Sequence, residues 1–276
     1  MGIDKRVIGQ NMTELNDIWA AGAAYEPYVG RWSRLVAREF LAWLNVPPNS
    51  HWLDIGCGTG ALSQTILDVA APSIVKGIDR SDGFVAYARG QVRDQRASFE
   101  VGDAQGLPVE TSAYHAVVSG LALNFIPHPS QAVAEMRRAA RSNGVVAAYV
   151  WDYAGNMQMM RHFWNAAADL DPAAFDLDEG RRFPLCQPDS LRSLFHSADF
   201  GEVEVRPIEI ATDFVKIDDY WTPVLGGQGP APSYVASLSD EHRVALRERI
   251  RAGLPFALDG SIPLTARAWA VKGIRP

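Results

Sequence analysis

The stretch LDIGCGTG, residues 53–60, sets a carboxylate inside an apolar run and follows it with three glycines at alternate positions. A buried carboxylate is costly unless something pairs with it. Each interior glycine costs about 1 kcal/mol in backbone entropy. A chain that carries both at one place is arranged around a ligand. Gly56, Cys57 and Gly58 allow a tight turn and a close approach of backbone to that ligand. Gly56, Gly58 and Ala61 also satisfy the dinucleotide fingerprint GxGxxA. Asp79 ends the next apolar run, 23 positions after Gly56, where a carboxylate can accept both hydroxyls of a ribose. Gly102-Asp103-Ala104 ends a third run. There a carboxylate can take an adenine amino group while a neighbouring amide donates to a ring nitrogen. Asp54 separates two ligands that share these features. It repels a pyrophosphate and attracts an ammonium group. The Tyr-x-x-x-Lys pair of a common hydride-transfer class is absent. An adenosine carrying a cationic amino-acid tail, as in S-adenosylmethionine, is therefore the expected cofactor. A nicotinamide dinucleotide is the alternative.

The elements that must position these residues follow a regular rhythm. HWLDIG, ALSQTILDVA, SIVKGID, GFVAYARGQV and ASFEVGD read as β-α-β-α-β. AYHAVVSG is a fourth strand, PSQAVAEMRRAA a helix, and GVVAAYVWDY a fifth strand opened by the turn pair Asn143-Gly144. The strands are rich in Val, Ile and Ala without strict alternation, which suits a parallel sheet covered on both faces. The class is α/β, a Rossmann-like doubly wound sheet. After Tyr153 the rhythm breaks. Insertions at about 154–187 and 216–261 surround a helix, PDSLRSLFHSADF, and a long strand, GEVEVRPIEIATDF, and the chain closes on the strand PLTARAWAVKG. Such insertions form helical caps that shape a pocket. Residues 1–45 precede the sheet as a helical lid, with Trp32, Val36, Phe40 and Trp43 at helical spacing. The remainder, 46–276, is one domain.

Composition narrows the function. The chain has 276 residues, of which 47% are hydrophobic, enough for a large core. A net charge of −6 argues against a broad nucleic-acid surface. Two cysteines, Cys57 and Cys186, fit a reducing compartment and no disulfide framework. No zinc-type spacing is visible, so no metal site is expected. The first residues lack a signal-peptide core and no run of about 18 apolar residues occurs, so a cytoplasmic protein without a membrane span is expected. Arg137, Arg138 and Arg141 read as a solvated helix face, and the acidic run from Asp169 to Glu179 as a solvated loop. Cys57 reads as a small spacer and His128 as a solvated loop residue.

LDIGCGTG, GIDRS, GDAQGLPV, AYHAVVSGLALNFIPHP and the final strand together resemble the successive motifs of class I S-adenosylmethionine-dependent methyltransferases. The branch they are similar to is the small-molecule one that includes the ubiquinone and menaquinone biosynthesis enzymes. The matching motifs run from about His51 to Tyr153. The resemblance implies a seven-stranded sheet with a reversed last strand. It implies that Gly56, Cys57 and Gly58 approach the methionine part through the backbone and that Asp54 orients its amino group. Asp79, with Arg80 beside it, would bind the ribose, and Phe84 would pack on adenine. Asp103 and Ala104 would read the adenine edge, and Ser119, Gly120 and Leu121 would line the site near the sulfonium. The chain departs from the family at Leu123-Asn124-Phe125, where a His-rich stretch often stands, so a His-based proton abstraction is not expected there.

The expected reaction is methyl transfer to a small-molecule acceptor. A hydride-transferring enzyme and a non-catalytic cofactor sensor are the alternatives. No Asp/Asn-Pro-Pro-aromatic stretch follows the fourth strand, which disfavours amino-methylation of nucleic-acid bases. The sequence does not assign the oligomeric state, the acceptor or a catalytic base. Tyr25, Tyr28, Arg31 and Trp32 are expected to close over the cofactor, with the two insertions as the opposite wall; the competing reading is that they anchor the helix to the core.

Overall fold

A computed structural model describes residues 30–226 and 229–276. Among these residues seven strands form one sheet in the order β3-β2-β1-β4-β5-β7-β6. The strands are β1 (His51–Ile55), β2 (Ile74–Asp79), β3 (Ala97–Val101), β4 (Tyr114–Gly120), β5 (Ala140–Trp151), β6 (Gly201–Ala211) and β7 (Thr265–Ile274). β1 to β5 are mutually parallel, and β7 runs antiparallel to both β5 and β6. This is the Rossmann-like doubly wound sheet with a reversed last strand. The chain winds outward through β1, β2 and β3, then returns to the other side of β1 for β4. The crevice above the carboxyl ends of β1 and β4 is therefore the switch point at which such sheets bind ligands.

The pattern of burial explains the order. From Gly144 on, the β5 segment VVAAYVW is buried throughout, as a central strand covered on both faces must be. β6 lies at an edge, which is where Pro207 is tolerated. Asn143 adopts a positive φ of 60°, and the β4–β5 register shifts between Tyr114 and Ala116. The expected turn pair thus sits in an irregularity within β5 rather than before it.

The helix α1 (Arg31–Leu44) buries Trp32, Val36, Ala37, Phe40 and Leu41 and ends on Asn45 with a left-handed φ of 48°. Trp43 departs from that stripe. It is half-buried, donates to Glu204 at 3.1 Å and lies under the ammonium of Lys272. α2 (Ala61–Val69) follows β1, α3 (Asp82–Gln91) follows β2, and α4 (Pro129–Ala139) precedes β5. Arg138 on α4 is not a solvated charge. Its guanidinium holds Glu135 at 2.8 Å and the carbonyls of Leu107 and Val109 at 3.0 and 2.9 Å. It thereby fixes the loop between β3 and β4, and the Glu135 contact raises its pKa above the ordinary value.

The remaining helices are α5 (Gln158–Leu170), α6 (Glu179–Arg182), α7 (Pro188–Ser197), α8 (Ile217–Trp221), α9 (Pro230–Ser237) and α10 (Asp240–Gly253). Those of the two inserted segments pack on each other. Trp164 of α5 stands 5.8 Å from Tyr234 of α9, Tyr220 donates to the Met159 carbonyl at 2.7 Å, and Arg249 of α10 pairs with Asp169. The acidic run is only partly a solvated loop. Asp178 pairs with Arg161, and Glu179 is buried and accepts from the Trp164 indole. Burial pushes the Glu179 carboxyl up to about 8.

The start of α1 meets the second insertion directly. Trp32 packs edge-on against Phe214 with centroids 5.1 Å apart, Phe214 meets Tyr220 at a tilt, and Arg31 pairs with Asp219 at 2.8 Å. A buried tryptophan at such a junction fills volume that neighbours cannot collapse into. Trp32→Ala is expected to cost about 3–5 kcal/mol, measured by urea unfolding followed by far-UV circular dichroism.

Candidate active site

A cavity of about 810 Å³ opens at the switch point. Its floor is the loop after β1. Gly56, Gly58 and Gly60 have φ of 69°, 52° and 84°, a region other residues enter at a cost. Gly56 is required for a second reason: a Cβ there would stand 2.4 Å from the Cβ of Ala122. The loop after β1 and the loop after β4 touch at this point. The second loop is itself strained, because Leu121 holds a φ of 59° while its amide bonds the Tyr149 carbonyl at 2.8 Å.

The glycine loop offers few amides to a ligand. Gly56 and Cys57 donate to the Ile78 carbonyl at 2.8 and 3.1 Å, Gly58 donates to Asp79 Oδ2 at 2.9 Å, and Gly60 donates to the Cys57 carbonyl at 2.8 Å. A pyrophosphate on a Rossmann loop is cradled by amides of this kind. Here they are bonded to the end of β2 and within the loop. The loop therefore presents its backbone edge rather than a set of donors. A Cβ on Gly58 would meet nothing nearer than the Gly56 carbonyl at 4.0 Å, so a side chain there enters open space at the floor.

Three carboxylates line the cavity, two at its floor and one at its rim. Asp54 is 0% exposed, yet only one of its oxygens is bonded, by Ser63 Oγ at 2.7 Å; Oδ1 has no partner. Burial, reinforced by the nearby Asp79, pushes its carboxyl up to about 7 despite the Ser63 bond. Asp79 accepts from Gly58 N and, at 2.8 Å, from Ser81 N. Burial raises its pKa, and those two amides and the Arg80 charge pull the other way. Each Asp79 oxygen has one lone-pair direction beyond its amide bond. Ser81 also caps α3, accepting from Phe84 N at 3.3 Å, so the Asp79 bonds fix where Phe84 enters the cavity wall. Asp103 is exposed at the rim; the amide and side chain of Gln105 bond it and hold its carboxyl below the usual range. Gln105 also accepts from His128 N at 3.1 Å, tying the β3 turn to the β4 turn.

The cavity thus gathers Asp54, Gly56, Cys57, Gly58, Asp79, Arg80, Phe84, Asp103 and Ala104. Gly120 and Leu121 line it too, while Ser119 lies buried beneath without a hydrogen-bond partner. Cys57 is buried and burial drives its thiol pKa well up, which suits a spacer rather than a nucleophile. Arg31 does not line the cavity. Its Nη1 pairs with Asp219 and the guanidinium lies over the faces of Trp32 and Phe214, 4.2 and 4.7 Å away, while Nε and Nη2 are buried without a hydrogen-bond partner. Tyr25 and Tyr28 lie outside the described residues.

The opposite wall differs from expectation. It is formed first by Tyr149, Trp151 and Tyr153, at and just beyond the end of β5, and by Phe125, Ile126 and Pro127 after β4. The first insertion stands behind it: Phe183 contacts Phe125 at 5.0 Å and Tyr153 at 5.9 Å. Ser33 of α1 also reaches the cavity. Gly120 makes room for Tyr149, whose hydroxyl would lie 2.6 Å from a Cβ at that position.

These residues fit S-adenosylmethionine. The unpartnered Asp54 oxygen calls for a cation, the loop accommodates close backbone approach, and Asp79 has capacity for two hydroxyls.

Residues 53–148 match the methyltransferase domain family. The chain is 28% identical over 144 residues to a demethylmenaquinone methyltransferase of Symbiobacterium thermophilum, covering 50% of this chain and 53% of that protein. It is 28% identical over 179 residues to one from Roseiflexus castenholzii, covering 59% of this chain and 73% of that protein. The chain thus spans about half the length of the first relative. The structure superposes on phosphoethanolamine N-methyltransferase 2 of Haemonchus contortus, solved with S-adenosylhomocysteine, with a TM-score of 0.58 at 16% identity; the match covers 92% of this chain and 57% of that one.

The raised pKa of Asp54 has a signed consequence. Between pH of about 4 and 7 the unfolded chain has released this proton while the folded, empty site retains it, so stability falls as pH rises through that window. Asp54→Asn is neutral throughout. Its stability is expected to fall less than that of the wild type between pH 4 and 8, by several kcal/mol at most, as read from urea unfolding of ligand-free protein at both pH values.

Proposed function

We propose that this chain, whose residues 53–148 match the methyltransferase domain family, transfers a methyl group from S-adenosylmethionine to a small-molecule acceptor. The observation that carries the reading is the Asp54 carboxylate, fully buried with one oxygen unpartnered beside a loop whose glycine amides are already bonded. That combination suits an ammonium-bearing ligand and not a pyrophosphate. Asp79 takes the two ribose hydroxyls, with Arg80 at the rim. Phe84 packs on the adenine, and Asp103 with the Ala104 amide reads its edge. Gly56, Cys57 and Gly58 give the amino-acid tail room against the loop backbone.

The bound cofactor supplies an electrophilic methyl group on a sulfonium. The protein's task is to place an acceptor atom in line with that methyl and to keep water out. Leu121 and the residues after β4 set the near wall, and the β5 aromatics cover the far one. Among the described lining residues the only carboxylates are Asp54, Asp79 and Asp103, and no His, Lys or Glu stands there. The two curated relatives described above act on demethylmenaquinone by name, which supports a small-molecule acceptor as the class. No helix among the described residues is long and apolar enough to cross a membrane.

Calorimetry separates this reading from a nicotinamide enzyme. S-adenosylhomocysteine should bind and NADH should not; the reverse result overturns the proposal. Turnover of a labelled methyl group in metabolite extract then separates an enzyme from a sensor. Asp79→Ala is expected to weaken S-adenosylhomocysteine binding by roughly 10- to 100-fold, the equivalent of about 1.5–3 kcal/mol for charge-assisted bonds, with the circular dichroism spectrum unchanged. Binding by the wild type is also expected to tighten as pH rises from 6 to 8, because the ligand ammonium favours the ionised form of Asp54, whose pKa in the empty site is about 7.

A further inference from the structure

A second cavity, of about 510 Å³, shares no lining residue with the first. The turn after β5 borders both: Tyr153 lines the first, and Gly155 and Asn156 line the second. The volume falls within the range of small-ligand sites, roughly 300–1,000 Å³. One wall is a single stripe of α5. Gln158, Arg161, His162 and Asn165 follow at i, i+3, i+4 and i+7, so they share one helix face. The other wall is the end of α10, at Ala252 and Gly253, with Leu254 and Pro255 beyond it.

The polar groups of this cavity are fixed in place and carry no unpaired charge. Arg161 is neutralised by Asp178 through two bonds, one of them from Nη1 to Oδ2 at 2.8 Å. Thr265 N donates to Gln158 Oε1 at 2.8 Å, which leaves the Gln158 amino group as a donor. Asn156 Nδ2 meets Thr265 Oγ1 at 3.3 Å. Burial lowers the pKa of His162, so its ring is neutral at pH 7, with one donor and one acceptor. Asn165 adds an amide with both functions. An anion brought here meets the carboxyl end of α10, where helix carbonyls gather partial negative charge. A cation finds no lining carboxylate among the described residues. A hydroxyl group donates and accepts, as these side chains require. Leu254 and Pro255 supply an apolar edge for the C–H face of a ring.

We propose that this cavity is a second ligand site, distinct from the methyl-transfer cavity, and that it takes a neutral, polyhydroxylated molecule of the sugar type. Gln158, His162 and Asn165 bind its hydroxyls, and the end of α10 closes over its ring. The site does not depend on the methyltransferase reading.

The test uses the full chain and three probes that share one ring and differ in charge: glucose, glucuronate and glucosamine. Binding is followed by amide NMR shifts at Gly155, Asn156 and Gly253. Glucose is expected to bind at least about five-fold more tightly than either charged probe, because a charge desolvated here gains no partner. A Cβ added at Gly253 meets nothing within 4 Å, so a side chain there enters open space. Gly253→Trp is therefore expected to fold normally and to abolish the glucose shifts. Asn165→Ala is expected to weaken glucose by about five-fold, the size of one net hydrogen bond. Both variants should bind S-adenosylhomocysteine as the wild type does. The proposal is overturned if no shift appears at these amides up to about 0.1 M glucose, where a ligand of millimolar affinity saturates. Equal or tighter binding of glucuronate or glucosamine overturns it too, as does a glucose affinity indifferent to both substitutions.

Discussion

The site is organised by where the glycine-loop amides go. Gly56, Cys57 and Gly58 donate to Ile78 and Asp79 at the end of β2. These bonds fasten the loop to the neighbouring strand and give Asp79 its orientation. Asp79 in turn receives Ser81 N, and Ser81 caps α3 and places Phe84. One set of backbone bonds thus links the floor, the Asp79 carboxylate and the start of the next helix. The loop is also held from the other side, where Gly56 meets Ala122 without room for a Cβ. The cavity exists because two turns, each in left-handed backbone, are locked against each other across the switch point.

Much of this was legible in the sequence because it rests on local chemistry. Glycines at alternate positions report positive φ, and acids at the ends of three consecutive apolar runs report three strand ends on one sheet edge. Those signals survive without knowledge of the tertiary contacts. The parallel sheet was equally readable, because covered strands lose their alternation.

What escaped the sequence depended on partners far along the chain. Arg138 resembles any exposed helix arginine until the loop carrying Leu107 and Val109 is brought beneath it. Glu179 sits in a run of acids and looks solvated, but α5 covers it and Trp164 meets it. Tyr149, Trp151 and Tyr153 were hidden within an apolar segment; nothing local tells which face of a buried strand borders a cavity. Arg31 was expected to close over the cofactor with the segment that precedes the sheet. Asp219, 188 positions away, engages it instead.

The wall built from β5 also bears on how such a protein changes over generations. The residues expected to hold the cofactor descend from the first half of the chain, in turns whose backbone geometry tolerates little variation. The facing aromatics occupy alternate positions on and just after a single strand, and their side chains leave the loop bonds untouched. The two sides meet at Tyr149, which Gly120 accommodates and whose carbonyl takes the Leu121 amide, and they otherwise belong to separate elements of the fold. A lineage could acquire a new acceptor by a handful of substitutions at the end of β5 while its methyl-donor apparatus passed unaltered from ancestor to descendant.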